Sequence, residues 1–468
     1  MPEDITVLIV DNGGRAHVLA DLYQRHKDVK RVVVAKGNCL ILHDSKKEVI
    51  LEERVDLNDP RTILKVAITY KPDLVDVAQD NAIACGTVNL LQKNRFHVFG
   101  PTKKAARLEW DKAWAREFMK GCGVPIPDYT FFSKPQDAAD HARKIYQKNR
   151  SSLIFVKASG LCAGKGVEKA ENIQEVLIAI GKMRMHGNAA STILIEEGLQ
   201  GEEFSLYALN DGEHMVTFSL AQDYKQLQDG GQGKNTGGMG AVAPLPMTKE
   251  FVQKVEEPLV KRQIHGMKMK GVPYTGILYV GGILTENGPF VIEDNARWGD
   301  PEAQVILPGI GNYADLVMAS LDRRLKEIQP IEDGLSRVCV VGVAKGYPGD
   351  ISSIIGKRVY GLEDVMKMGN VNVYGAGIKK EGGNFYVAGG RVFHIVGSGA
   401  RIDEARQAAY EAVRRVSIEG DNLHYRVDIG ANLSRWSEIA TGYLQSNQKA
   451  SRASVALQHR RQKARAQG

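Results

Sequence analysis

At 468 residues, 43% hydrophobic and 25% charged, the chain has an ordinary globular composition but is too long for one core, so two to four packed units are expected. No apolar run reaches the about 18 residues of a membrane-spanning helix, and five scattered cysteines (Cys39, Cys85, Cys122, Cys162, Cys339) form no CxxC pair, so cysteine-held metal is not expected and a cytoplasmic protein with reduced thiols is. The net charge of +7 sits in a tail: from Lys449 onward there are six basic residues and no acid, so no nucleic-acid role is expected for the near-neutral body, and the tail's partner stays open.

The opening MPEDITVLIVD is acidic and lacks the basic head of a signal peptide. Residues 5–10 (ITVLIV) read as a buried parallel strand ending in a Gly-rich turn. RVVVAKGN, DLVDVAQD and HVFGP follow, with helical stretches between, which predicts a doubly wound α/β unit over residues 1–105. One helical stretch is predicted over 103–121, stopped by GCGVPIPDY. From 125 to about 335 strands come in consecutive runs (SSLIFVK, STILIEE, EEFSLYALN, MVTFSLAQ, TGILYVGGIL, PFVIED), the signature of antiparallel sheets in an α+β unit. A third unit starts near 336 with RVCVVGVAKG and ends near HYRVDIG. A polar helix and tail are expected from about 431 to 468.

Four segments carry candidate chemistry. In LIFVKASGLCAGKGV a strand ends in Lys157, and a loop with Gly160, Gly164, Lys165 and Gly166 leads to another strand. Glycines let backbone amides approach a phosphate, and lysines supply charge. The spacing is not GxxxxGK[ST], so this is not a Walker A loop, although an ordinary Gly-rich hairpin would read the same. In ILIEEGLQGEEF the end of an apolar strand offers backbone groups to an adenine edge, and Glu203 is a candidate acceptor for ribose hydroxyls. In AQDYKQLQDGGQGKNTGGMGAVAP, Asp223 and Lys225 follow a strand, and Asn235, Thr236, Gly237 and Gly238 lie in a loop suited to closing over a small ligand. In GPFVIEDNARWGDPEAQ, Glu293, Asn295 and Arg297 alternate and should share one face of an extended chain. Two oxygen donors there suit Mg²⁺, which keeps waters and phosphates as its other ligands. Arg297 beside them suits a carboxylate or a phosphate. Asp294 and Ala296 should point away.

Taken in order, NGGRAHVLA, HVFGPTKKAARLE, DKAWAREFM, VKASGLCAGKGV, IEEGLQGEEFS, NTGGMGA, YTGILYVGG, VIEDNARWGDPEAQ, GYPGD, GGRVFHIVG and HYRVDIG resemble the ATP-grasp superfamily, and within it the phosphoribosylamine–glycine ligases, nearly to residue 430. The resemblance implies a Rossmann-like N-terminal domain (1–105), an ATP-grasp domain (106–335) and a small C-terminal β-rich domain (336–430). It also implies ATP with Mg²⁺ or Mn²⁺ as cofactors, small-molecule substrates (ATP, glycine and phosphoribosylamine), a glycyl phosphate intermediate, no membrane partner, and a monomer or homodimer.

Residue by residue, the resemblance makes Lys112 and Lys157 the ATP-phosphate lysines, and Glu196, Glu197 and Leu199 the adenine hinge. Glu203 becomes the ribose acid, and Glu293 and Asn295 the metal ligands. Arg297 is the substrate-side cation, and Gly13, Gly14, Arg15 and His17 are the loop that holds phosphoribosylamine. The chain departs from the family pattern at Ala16 (GGREH), at Gln79 and Asp80 (VGPE), at Tyr224 and Gln226 (DHKR), and at Asp294 (EFN). The first three departures leave a related ATP-grasp ligase with another amine or acid as the alternative.

Overall fold

The computed structural model describes residues 4–43, 45–160, 162 and 166–444, so Gly164, Lys165 and the basic tail lie outside the described residues. Five parallel strands, β1 (Ile5–Asp11), β2 (Val29–Lys36), β3 (Glu48–Glu52), β4 (Leu74–Val77) and β5 (Val98–Phe99), form the first sheet in the order β3-β2-β1-β4-β5. The alternation of β1 serves two cores: Leu8 and Val10 pack into one, Val7 and Ile9 into the other. Strand order reverses between β1 and β4, and in such sheets the crevice beyond the strand ends at that point receives ligands.

The helix expected over 103–121 is two helices, Arg107–Trp110 and Lys112–Gly121. Asp111 breaks the stretch because its carboxylate caps the second helix, accepting from Trp114 N at 3.1 Å. The break puts Lys112 in the first turn of a new helix, and the Lys112 N–H donates to Ser159 O at 2.9 Å, just past Lys157.

Strands β6 (Tyr129–Phe132), β7 (Ile154–Ala158), β8 (Val167–Ala170) and β9 (Ile193–Glu197) make an antiparallel sheet, β6-β9-β7-β8. The Gly-rich loop connects β7 to its antiparallel neighbour β8, strand to strand, as its sequence suggests. Next come β10 (Glu202–Asp211), β11 (Met215–Thr217), β12 (Gln222–Asp223), the hairpin β13 (Gln226–Gln228) and β14 (Gln232–Asn235), β15 (Gly240–Ala243), β16 (Thr275–Thr285) and β17 (Gly288–Asn295). A second antiparallel sheet runs β11-β10-β16-β17.

The remaining strands include β18 (Ser336–Ala344), β19 (Arg358–Tyr360), β20 (Val371–Gly375), β21 (Ile378–Glu381), β22 (Asn384–Val387) and β23 (Arg391–Gly399). One C-terminal sheet has the order β12-β15-β18-β23-β20, so two strands of the Gly-rich segment 221–244 join the sheet of the third unit, β15 pairing directly with β18. Small residues permit this: a Cβ on Gly240 would stand 2.6 Å from Cys339 O. Residues 434–444 are helical but not merely polar, since Trp436 and Ala440 are buried. Among the described residues no helix is long and apolar enough to cross a membrane.

Candidate active site

A β-bulge organises one half of the site. Glu293 pairs with Gly281 and Val291 with Gly282, so the register slips and Ile292 has no partner on β16. The freed Ile292 carbonyl accepts from Arg116 Nη2 at 2.5 Å and from Lys157 Nζ at 3.4 Å, which ties the β6–β9 sheet to β17. Both cations also grip Glu196: Arg116 Nε lies 2.7 Å from Oε2, and Lys157 Nζ bonds Oε1. Burial alone would raise the Glu196 carboxyl, but Arg116 and Lys157 hold it below its ordinary value. Burial lowers Lys157. The Glu196 side chain therefore orients Lys157, and only its backbone is left for another partner. At the same strand end, the Glu197 N–H is taken by Asp128 O at 2.8 Å, and Leu199 is half-buried.

Beyond the bulge the expected face appears. Glu293, Asn295 and Arg297 are half-buried, while Asp294 and Ala296 turn inward, Asp294 accepting from Gln263 Nε2 at 3.2 Å. Lys225 Nζ stands 2.9 Å from Glu293 Oε1 and 3.7 Å from Glu203 Oε2. The positive charge of Lys225, with Lys157 and Lys112 behind it, brings Glu293 down to about 2, so the carboxylate is ionised at neutral pH. Asp223 is pushed up by burial and by Glu302, and its Oδ1 has no partner among the described residues. Arg297 bonds Asn295 Oδ1 at 3.1 Å and pairs with buried Glu109 at 3.2 Å, and its buried Nε is without a partner among the described residues.

Among the described residues no three His, Cys, Asp or Glu side chains converge to hold a metal ion. Glu293 and Asn295 offer two oxygens, which fits an ion completed by nucleotide phosphates and water rather than one caged by protein.

The second half of the site lies at the carboxyl ends of β1 and β2. A cavity of about 430 Å³ is lined by Asn12, Gly13, Gly14, Lys36, Tyr347 and Arg391, among others. Gly13 and Gly14 line it, but Arg15 and His17 do not. Arg15 makes a bidentate pair with Asp11 (2.8 and 3.1 Å) and donates to Trp298 O at 2.9 Å and Gln79 Oε1 at 3.1 Å, so its fork is consumed inside the protein. His17 is buried against Tyr374, and its Nδ1 accepts from Gly375 N at 2.9 Å. Burial and neighbouring His394 bring it down to about 3, leaving a neutral ring that docks the first helix onto β20. A Cβ on Gly14 would stand 2.5 Å from the His394 ring and 2.6 Å from Gln304 Nε2, both buried. Gly14→Ala is accordingly expected to cost about 1–3 kcal/mol of stability, read from urea denaturation midpoints.

The Gly-rich segment links the halves. Thr236 Oγ1 donates to Lys225 O at 2.8 Å, and the Gly237 N–H donates to Tyr347 Oη at 3.0 Å. Arg391 Nη1 bonds both Gly237 O and Asp300 O at 2.5 Å. A Cβ on Gly238, at φ 107°, would stand 2.4 Å from Pro301. Asn235 sits at the exposed end of the β13–β14 hairpin, accepting from Gln226 Nε2 at 3.2 Å. Asp300 is the hub: it pairs with His394 at 2.9 Å and Arg391 at 3.3 Å, and accepts from Arg15 N at 3.1 Å. Burial would raise it, yet Arg391, His394 and Arg15 hold it well below the carboxylate range. The sequence reading missed Arg116, Asp300, Arg391 and Lys36. Asp300 and Arg391 lie inside the WGDPE and GGRVF stretches already singled out, but only the fold shows their partners.

Known proteins are similar to this chain in sequence and fold. Three sequence models match: the N domain of phosphoribosylglycinamide synthetase over residues 5–109, its ATP-grasp (A) domain over 110–303 and its C domain over 337–432. A phosphoribosylamine–glycine ligase of Caldanaerobacter subterraneus subsp. tengcongensis is 34% identical over 430 residues, covering 91% of this chain and 99% of its own. The enzyme of that name from Streptococcus pneumoniae serotype 4 is 37% identical, with 91% and 99% covered. The crystal structure of the Thermotoga maritima phosphoribosylamine–glycine ligase superposes with a TM-score of 0.75 at 28% identity, covering 91% of this chain and all of that one. The biotin carboxylase domain of Hydrogenobacter thermophilus 2-oxoglutarate carboxylase superposes at 0.66 with 16% identity and 90% and 92% covered, a likeness of fold alone. With the three domain models matched in order along it, the chain belongs to the phosphoribosylglycinamide synthetase family of ATP-grasp enzymes.

Proposed function

We propose that this chain joins glycine to 5-phosphoribosylamine with cleavage of ATP, giving glycinamide ribonucleotide, ADP and phosphate. The observation that carries this reading is the adjacency of two unlike sites. One is a cluster of Lys157, Lys225 and Glu293, with Lys112 beside it; the other is a cavity with Lys36 and Arg391 on its wall, linked to the first through Gly237. A glycine carboxylate oxygen attacks the γ-phosphorus, and the bond to ADP breaks. The amine nitrogen then attacks the acyl carbon of the glycyl phosphate, phosphate leaves, and the nitrogen loses a proton.

No covalent enzyme nucleophile is required. The chain's residues position the reactants and neutralise charge, with Lys112 and Lys157 on the phosphates and Arg297 on the acid. Asp223 Oδ1, buried and unpartnered among the described residues, is an acceptor suited to the glycine ammonium. Glu293 and Asn295 would hold Mg²⁺ or Mn²⁺, which supplies further neutralisation of phosphate charge. Glu203, the Glu197–Leu199 hinge and the loop with Gly164, Lys165 and Gly166 are assigned to the nucleotide. Gly13, Gly14 and the Asn235–Gly238 segment are assigned to phosphoribosylamine.

One of the departures from the family pattern, Ala16, is fully buried in the core and stands away from the cavity. This supports phosphoribosylamine over another amine. ADP release is expected to require glycine and freshly made phosphoribosylamine together; stimulation no greater than either alone would overturn the substrate assignment and favour a related ligase.

A further inference from the structure

The family's C-domain match ends at residue 432, yet the chain continues into a helix over 434–444 that packs against the strands of the nucleotide cluster. Its sequence SRWSEIATGYL places Trp436, Ala440 and Tyr443 at three- and four-residue steps, continuing from Leu433, which makes one apolar stripe. That stripe is seated: Leu433, Trp436 and Ala440 are buried, and Trp436 is only 1% exposed.

The partners of the stripe are specific. Trp436 stands edge-on to Phe204, and its indole N–H donates to Gln222 Oε1 at 3.2 Å. Arg435 pairs with Glu202 at 2.7 Å, and Tyr443 packs on Phe251 beside Gly288. Side chains alternate along a strand, so Glu202 and Phe204 lie on the opposite face of β10 from Glu203. Gln222 likewise precedes Asp223 on β12. The helix thus grips the back of the two strands whose front faces carry Glu203 and Asp223. Just before the helix, the Gly430 N–H donates to Tyr224 Oη at 3.0 Å, which fixes the residue between Asp223 and Lys225.

We propose that residues 433–444 are a built-in strap, and that Trp436 is a positioning residue that sets Asp223, Lys225 and Glu203 at the nucleotide and metal cluster through Gln222 and Phe204. The proposal rests on the nucleotide reading above for its functional consequence, but its structural core does not depend on a ligand. Full-length chains carrying Trp436→Ala or Trp436→Phe are compared with the unaltered chain by amide hydrogen exchange and by calorimetric titration with Mg²⁺–ADP. Trp436→Ala is expected to speed exchange over residues 222–225 and to weaken Mg²⁺–ADP about tenfold. Trp436→Phe keeps the aromatic contact and loses the N–H, so it is expected to fall between the two. Unchanged exchange at 222–225 with unchanged Mg²⁺–ADP affinity, whatever happens to the melting temperature, overturns the strap. Should Trp436→Ala not fold, Trp436→Phe and Arg435→Glu decide by the same readouts. If the unaltered chain binds no Mg²⁺–ADP, the nucleotide reading falls, and the exchange data still decide the strap.

Discussion

Glu293→Ala is expected to lower ADP release at least about 10³-fold at saturating substrates, since metal-held phosphate charge is worth several kcal/mol in the transition state. The carboxylate is the anion on which Lys225 and the lysines behind it converge, and it is held ionised with its value near 2. Removing it takes away one of the two metal-facing side chains and, among the described residues, leaves Lys225 with the more distant Glu203 as its ion-pair partner. The fold should survive, because Glu293 is only half-buried at the rim of β17. Steady-state ADP release, with Mn²⁺ binding followed by electron paramagnetic resonance in the presence of ADP, checks both halves of the claim. Turnover at the unaltered rate would remove Glu293 from the metal site.

Glu196→Ala should act on stability as well as activity. The Glu196 carboxylate is the shared partner of Lys157 and Arg116, all three being buried. Stripping one partner from a buried ion pair leaves uncompensated charge and costs about 3–5 kcal/mol. Part of that loss is recovered as Lys157 sheds its proton, which burial already favours. The pH dependence has a definite sign. Burial would raise the Glu196 carboxyl, but Arg116 and Lys157 keep it below 4.5, so its stabilising contribution is present above that value and fades as pH falls through the folded-state value. Urea denaturation at pH 7 measures the loss; a change under 1 kcal/mol would mean that the triad is solvated in solution.

The sequence carried the local half of this site and not the long-range half. Glu293, Asn295 and Arg297 were legible because strand alternation is a local rule, and even the bulge at Ile292 left it intact downstream. Lys157 was legible as a lysine at a strand end before a glycine loop. The buried partners of Arg15 and His17 were not legible, because a cation or an imidazole near a Gly turn looks equally free whether or not a buried Asp11 or a Gly375 amide awaits it. Arg116, Asp300 and Arg391 were invisible for the same reason: their partners lie tens to hundreds of residues away. Four strands of the N-terminal sheet were readable from their apolar runs, but the edge strand β3, five half-exposed residues, was not. β12, of two residues, and β15, of four, carry too little periodicity to signal that they cross to another sheet.

That crossing governs how the chain comes apart. β15 is hydrogen-bonded to β18 from Gly240–Val340 to Ala243–Arg337, so the boundary between the nucleotide-binding and C-terminal regions is a continuous ladder, not a hinge. A cut between them would expose two unpaired edges, each a template for aggregation. Contacts about a hundred residues apart in sequence must close before either edge is covered, which makes assembly of this seam slow and cooperative. The chain therefore gains or loses the two regions joined at this seam together, and a lesion in the C-terminal sheet reaches the ATP-grasp region through the unfolding equilibrium alone.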